Sequence, residues 1–234
     1  EGVLIAMGHA FFTLSLGMGA IMVYGSYLPK NVSIAKATIT IAVADTAVAL
    51  MSGLVIFPIV FANNLEPGSG FGLIFETLPI AFGQMEAGVL IGTLFFVLLV
   101  LAALSSSISL IEPAVAWLVE NRDMSRVRAS VWCGLLTWFV GLGSLLSFNL
   151  WSENKILGMN FFSFLDYLTA NILLPLGGLF IALFSGWLMA TASSKKELNS
   201  SETGYNIWLF LVRFIAPVAV MVVFLDVTGV IDLL

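Results

Sequence analysis

The chain has 234 residues, of which 60% are apolar and 10% charged, and its mean hydropathy is +1.07. A soluble domain covers its surface with about 25% charged residues, so these figures exclude an ordinary water-soluble globule and make the bilayer the natural solvent. The net charge of −5 comes without a basic patch, which argues against nucleic acid as a partner.

A spanning helix needs about 20 mostly apolar residues. The opening stretch, 3–28, is long enough but is interrupted by Thr13-Leu14-Ser15-Leu16-Gly17-Met18-Gly19. Residues 34–62 form a second candidate span. The connection 63–87 contains Pro67-Gly68-Ser69-Gly70, an apolar run over 71–82 and no Lys or Arg. Such a segment is expected to be a structured extracellular loop of short helices. Further spans are expected at 88–119, 127–150 and 168–192, then a solvated cytoplasmic loop at 193–204 and a last span at 205–225. The result is an all-α, polytopic membrane protein with six spans, the first of them broken. Pro113, Pro175 and Pro217 lie inside spans and predict kinks. Arg213, inside the last span, is expected to snorkel to the cytoplasmic interface.

Orientation follows from the nine Lys and Arg residues. Lys30, Lys36, Arg122, Arg126, Arg128, Lys195 and Lys196 fall in alternate connections, and the two intervening loops hold only Lys155. Cytoplasmic loops are enriched in these residues, so both chain ends are expected outside. A chain that starts at Glu1, within a span entering from outside, is expected to be preceded by further helices. The single Cys133 allows no intrachain disulfide and argues against a cysteine metal site. One histidine, His9, and that distant cysteine do not make a catalytic constellation, so an enzyme is not expected.

The interruption at 13–19 carries the most local information. Two glycines with Thr and Ser weaken the helix mid-span, and freed carbonyls in hydrocarbon need a partner such as an ion or polar ligand. A glycine hinge packed closely against another helix is an equally good reading of those residues. Ala102, Ser105, Ser106 and Ser109 share one helical face at i, i+3, i+4 and i+7. Taken alone, such serines more often back-bond to the preceding turn or pack helices together.

The run Phe11-Phe12-Thr13-Leu14-Ser15-Leu16-Gly17-Met18-Gly19-Ala20 resembles the unwound sixth helix of the neurotransmitter:sodium symporter family, in its bacterial amino-acid branch. Ala102-Ala103-Leu104-Ser105-Ser106-Ser107-Ile108 resembles that family's eighth helix, at the expected separation. The resemblance covers essentially the whole chain and implies the sixth to eleventh helices of a LeuT-like inverted-repeat transporter, the C-terminal half of a single transporter domain. It implies sodium-coupled symport of a neutral, hydrophobic amino acid across the plasma (inner) membrane by alternating access. Its partners would be the amino acid, membrane lipid and the missing N-terminal half. The alternative is a non-transporting fragment that acts as a binding or assembly piece.

The family's functional positions fall on particular residues of this chain. Thr13 and Asp45 would ligate a first Na+; the Ala102 carbonyl with the Ser105 and Ser106 hydroxyls would hold a second. Each site would be only partly supplied by this chain, and oxygen donors suit a hard cation. Substrate would meet Phe12, Thr13, Ser15, Met18, Ser106 and Leu110, with Phe12, Met18 and Leu110 as an apolar wall. Asp45 departs from the family's usual Asn, while Ala49 stands where bacterial members place a carboxylate. Asp45 would then act as both ligand and fixed negative charge, making transport chloride-independent. His9, one turn before Thr13, would line the anion-equivalent site and could pair with Asp45 in returning protons. Asp166 matches the acidic half of the extracellular gate, or is a carboxylate favoured by a helix start. Glu112 has no role in this scheme; it is expected to pair with a residue of the absent half.

Overall fold

In a computed structural model the described residues, 2–67 and 70–229, are helical with short connections. Glu1, Gly68, Ser69 and residues 230–234 lie outside them. The helices are α1 (Gly2–Thr13), α2 (Ala20–Ser26), α3 (Ile34–Ala62), α4 (Gly70–Gly83), α5 (Gly88–Arg122), α6 (Arg126–Leu146), α7 (Phe161–Leu188), α8 (Thr191–Leu198) and α9 (Glu202–Val227). Among the described residues α3, α5, α6, α7 and α9 are long and apolar enough to cross a membrane. The opening stretch is two shorter helices, α1 and α2, separated by residues 14–19, where the interruption was expected. The segment expected as a loop at 193–204 is mostly helical, because α8 fills 191–198 and α9 begins at Glu202.

The chain divides into two compact units, one of Glu1–Thr38 with Ser109–Leu234 and one of Ile39–Ile108. In the smaller unit a core forms around Val60, Leu78 and Phe82, with Phe95 and Phe96 packed against it. The Phe82 and Phe95 rings are 5.5 Å apart, and Phe95 and Phe96 meet edge-on at 5.3 Å. A Cβ on Gly88 would run into the Phe82 carbonyl oxygen. Glycine at that point lets α5 start flush against α4.

In the larger unit α9 packs along α7, and α1 touches both. Side-chain caps start two helices. Asn160 Oδ1 accepts the Ser163 N–H at 2.8 Å ahead of α7, and Ser201 Oγ accepts the Gly204 N–H at 3.2 Å ahead of α9. Ser194 and Tyr205 share a buried hydrogen bond of 2.9 Å that ties α8 to α9.

Four π-helical turns interrupt these helices among the described residues: Leu73–Thr77, Tyr167–Leu173, Phe184–Leu188 and Leu211–Ile215. Three are followed two residues later by Pro79, Pro175 and Pro217. Proline removes one N–H and its ring presses on the carbonyl four residues back. A wider turn just before it relieves that conflict, as the Leu174 N–H on Thr169 O and the Ala216 N–H on Leu211 O illustrate. Pro175 and Pro217, expected as kinks, are thus met by π turns.

Candidate functional site

The break between α1 and α2 has a defined shape. Ser15, Gly17 and Gly19 all adopt left-handed backbone, at φ 52°, 84° and 83°. For Ser15, a residue with a Cβ, that conformation costs roughly 1–2 kcal/mol and persists only when its surroundings impose it. The Leu16 N–H reaches Phe11 O at 3.0 Å, and the helical ladder resumes when the Val23 N–H reaches Gly19 O at 3.1 Å. Among the described residues no backbone N–H reaches the carbonyls of Leu14, Ser15, Leu16 or Met18. The break therefore concentrates carbonyl acceptors in one short stretch.

Close packing holds this shape. A Cβ on Gly17 would strike the Leu174 carbonyl oxygen and stand 2.7 Å from the Gly178 nitrogen; a Cβ on Gly177 would strike the Gly17 carbonyl. Backbone lies on backbone there, which only glycine on both sides permits. Gly178 admits the Phe11 ring, 3.1 Å from where its Cβ would be. At the other end a Cβ on Gly19 would lie 3.7 Å from Pro113 of α5. The close packing expected of a glycine hinge is thus present at this stretch. Behind it a mainly apolar cavity of about 310 Å³ opens between the break, α7 and α9.

Helix α2 is anchored to α5 by its tyrosines. Tyr24 Oη and Ser109 Oγ are 3.0 Å apart. Tyr27 donates to Glu112 Oε1 at 2.7 Å. Arg126 Nη2 also donates to Glu112, at 2.6 Å to Oε1 and 2.8 Å to Oε2. Glu112 is buried at 6% exposure. Its carboxylate is therefore satisfied within this chain, which corrects the expectation that it pairs with the absent half. Arg126 sits at the start of α6, only 14 positions on, so the short turn between α5 and α6 brings it back onto the buried acid.

Other candidate residues are placed as follows. Phe12 is exposed on α1, while Thr13, Ser15 and Met18 are half-buried at the break. Leu110 is exposed on α5, one turn before Pro113. Ser105 Oγ donates to Ala102 O at 2.9 Å, the back-bond to the preceding turn that such serines commonly make; Ser106 is exposed beside them. Asp45 is half-buried within α3 and His9 is exposed on α1. Asp166 is exposed near the start of α7, where its carbonyl accepts from the Thr169 hydroxyl at 3.2 Å. Among the described residues no cluster of three His, Cys, Asp or Glu could hold a metal. The hydroxyl, carbonyl and carboxylate oxygens of the candidate residues are donors of the kind that suits a hard cation. Sequence reasoning missed the Tyr27–Glu112–Arg126 cluster, although Glu112 next to Pro113 inside an apolar run was the signal.

The whole chain matches one family model. Residues 4–232 fit the model described as the sodium:neurotransmitter symporter family. The chain belongs to that family. It is 36% identical to an uncharacterized sodium-dependent transporter, YhdH, of Bacillus subtilis, over 99% of this chain and 52% of that protein. It is 35% identical to an uncharacterized sodium-dependent transporter of Haemophilus influenzae, over 95% of this chain and 49% of that protein. The crystal structure of MhsT in complex with L-phenylalanine superposes with a TM-score of 0.88 at 42% identity, covering 96% of this chain and 51% of that one. The chain thus spans about half the length of the relatives it matches.

Two stability predictions arise from this geometry, both read as thermal melts of the full-length protein in detergent. Gly17→Ala should melt well below Gly25→Ala, because Gly25 has open space at its Cβ and Gly17 has a carbonyl; equal shifts would mean the backbone contact is not tight. Tyr27→Phe should lower Tm by about 2–4 °C, the scale of 1 kcal/mol in a domain of this size. Combined with Arg126→Gln it should cost less than the sum of the two single losses, since both donors serve one carboxylate.

Proposed function

We propose that the protein containing this chain drives symport of a neutral, hydrophobic amino acid with sodium, by alternating access across the plasma membrane. The observation that carries this reading is the break itself. Around three left-handed residues held by glycine contacts, four carbonyls are reached by no backbone N–H among the described residues. Family membership and the named relatives, all transporters, favour transport over an enzyme.

In this reading Thr13 and Asp45 ligate one sodium, and Ala102 O, Ser105 and Ser106 contribute to a second. The rest of each shell comes from the other half of the transporter. Within 1–234, residues 63–87 form a structured extracellular loop and 193–204 a cytoplasmic connection. The amino-acid substrate takes its ammonium contacts from carbonyls at Phe12 and Ser15, and its side chain lies against Phe12, Met18 and Leu110; Thr13 and Ser106 border it. MhsT, solved with L-phenylalanine, supports a large apolar side chain. Sodium couples to substrate because both stabilise the same closed arrangement of the broken helix, and linkage makes that help reciprocal. Opening α2 away from α5 would require the Tyr24 and Tyr27 contacts to part. Asp166 serves the outer gate. His9 lines the anion-equivalent site, where Asp45 supplies the fixed negative charge.

Equilibrium binding of a labelled amino-acid panel to the full-length protein, in sodium and in potassium, tests the assignment. Binding of a large neutral amino acid in sodium only, weakened about tenfold or more by Thr13→Val or Ser105→Ala, is expected; each variant removes a hydroxyl ligand worth at least one polar contact. Sodium-independent binding, or no binding, would sink it. Replacing chloride by gluconate should leave uptake unchanged in wild type, and Asp45→Asn should make uptake chloride-dependent or abolish it. Uptake that stops in wild type without chloride would refute the role given to Asp45.

A further inference from the structure

Helix α7 has 28 residues, about 42 Å at 1.5 Å per residue against a hydrocarbon layer of about 30 Å. Its apolar run stops at Ala190 and the polar, lysine-bearing stretch 193–197 follows, which puts its final residues near the membrane edge. There α7 ends in the π turn Phe184–Leu188, closed by the Met189 N–H on Phe184 O at 2.8 Å. The Gly186 carbonyl, which a widened turn leaves available, accepts the Nε–H of Arg213 from α9. The arginine stem lies directly over Gly186, whose Cβ would stand 3.0 Å from Arg213 Cγ. The guanidinium stacks 5.4 Å from the Trp187 ring. Arg213, expected to snorkel to the cytoplasmic interface, is oriented by a carbonyl and an indole.

That clasp uses Nε and one face of the guanidinium. Among the described residues its two Nη groups have no protein acceptor, and no carboxylate pairs with Arg213. Lys195, in the segment beyond α7, is held by Glu202 at 2.6 Å. Phe184 on α7 and Phe214 and Val218 on α9 are exposed apolar side chains of the same two helices. Trp187 and Phe214 meet edge-on at 5.9 Å.

We propose that this clasp binds an anionic membrane phospholipid. Its phosphodiester accepts hydrogen bonds from the Arg213 Nη groups, and one acyl chain runs along Phe184, Phe214 and Val218. The planar fork matches two phosphate oxygens at once, and the Gly186 carbonyl fixes its angle before the lipid arrives. Tryptophan belongs at this depth for the same reason, one end apolar and the other wet. The inference does not rest on the transport reading.

The test uses the full-length protein, delipidated in detergent and titrated with phosphatidylglycerol or phosphatidylcholine, with retained lipid counted by native mass spectrometry. Wild type should hold phosphatidylglycerol roughly five- to tenfold more tightly than Arg213→Gln, the scale of one basic side chain against an anionic headgroup. Phosphatidylcholine retention should be the same in both. Arg213→Lys, which keeps the charge but not the fork, should fall between them and covers the case where Arg213→Gln does not fold. Trp187→Leu should weaken retention without abolishing it. Equal phosphatidylglycerol retention by wild type, Arg213→Gln and Arg213→Lys would overturn the proposal. So would inorganic phosphate raising the wild-type Tm as much as phosphatidylglycerol does, because the site would then select a soluble anion.

Discussion

The contact of Gly17 against Gly177 and Gly178 is the constraint on which the rest of the site depends. A helix that loses its ladder needs something to replace the lost order. Here the replacement is steric. The break is pressed backbone to backbone against α7, so the left-handed residues have nowhere else to go. Carbonyls that a regular helix would consume are thereby kept available. The same contact couples the break to α7, since any change of shape at Gly17 must be felt at Leu174.

A second layer of order is electrostatic. Glu112 is a buried carboxylate in a hydrocarbon-spanning helix, a group that is expensive unless every oxygen is engaged. Tyr27 from α2 and Arg126 from α6 engage it together, so three helices meet at one charge. Steric contact on one side of the broken helix and charge on the other leave α2 tethered at both ends.

Much of this was legible in the residues. Composition alone required a membrane, and the Thr13–Gly19 stretch located the break because glycine and hydroxyl residues are out of place in the middle of a span. What composition could not show was which surface the glycines meet. Gly177 and Gly178 look like ordinary helix-packing residues until Gly17 lies on them. Glu112 was visible as an anomaly, but its partner Arg126 read as an interfacial charge setting orientation. Only the turn between α5 and α6 brings the two together. The hydroxyl face of α5 was plain from spacing, and the bond from Ser105 to Ala102 O is the back-bond to the preceding turn that serines in a helix commonly make. The 193–204 segment was legible as a polar connection but not as a helix, because polar residues such as Lys195, Lys196 and Glu197 also make a short solvated helix.

The π turns have a consequence for how such chains are compared. Each holds one residue more than an uninterrupted α-helix would use, and one residue is about 100° of rotation. Beyond Tyr167–Leu173 the lower part of α7 is therefore turned by more than a quarter circle relative to its upper part. A homologue lacking the extra residue would align without a gap in hydropathy, yet present a different stripe of α7 to the broken helix. In this architecture, single-residue insertions and deletions inside spans can act as rotary changes of facing, with effects far from the altered position. The register of Gly177 beneath Gly17 is accordingly as much a product of the turn above it as of the glycine itself.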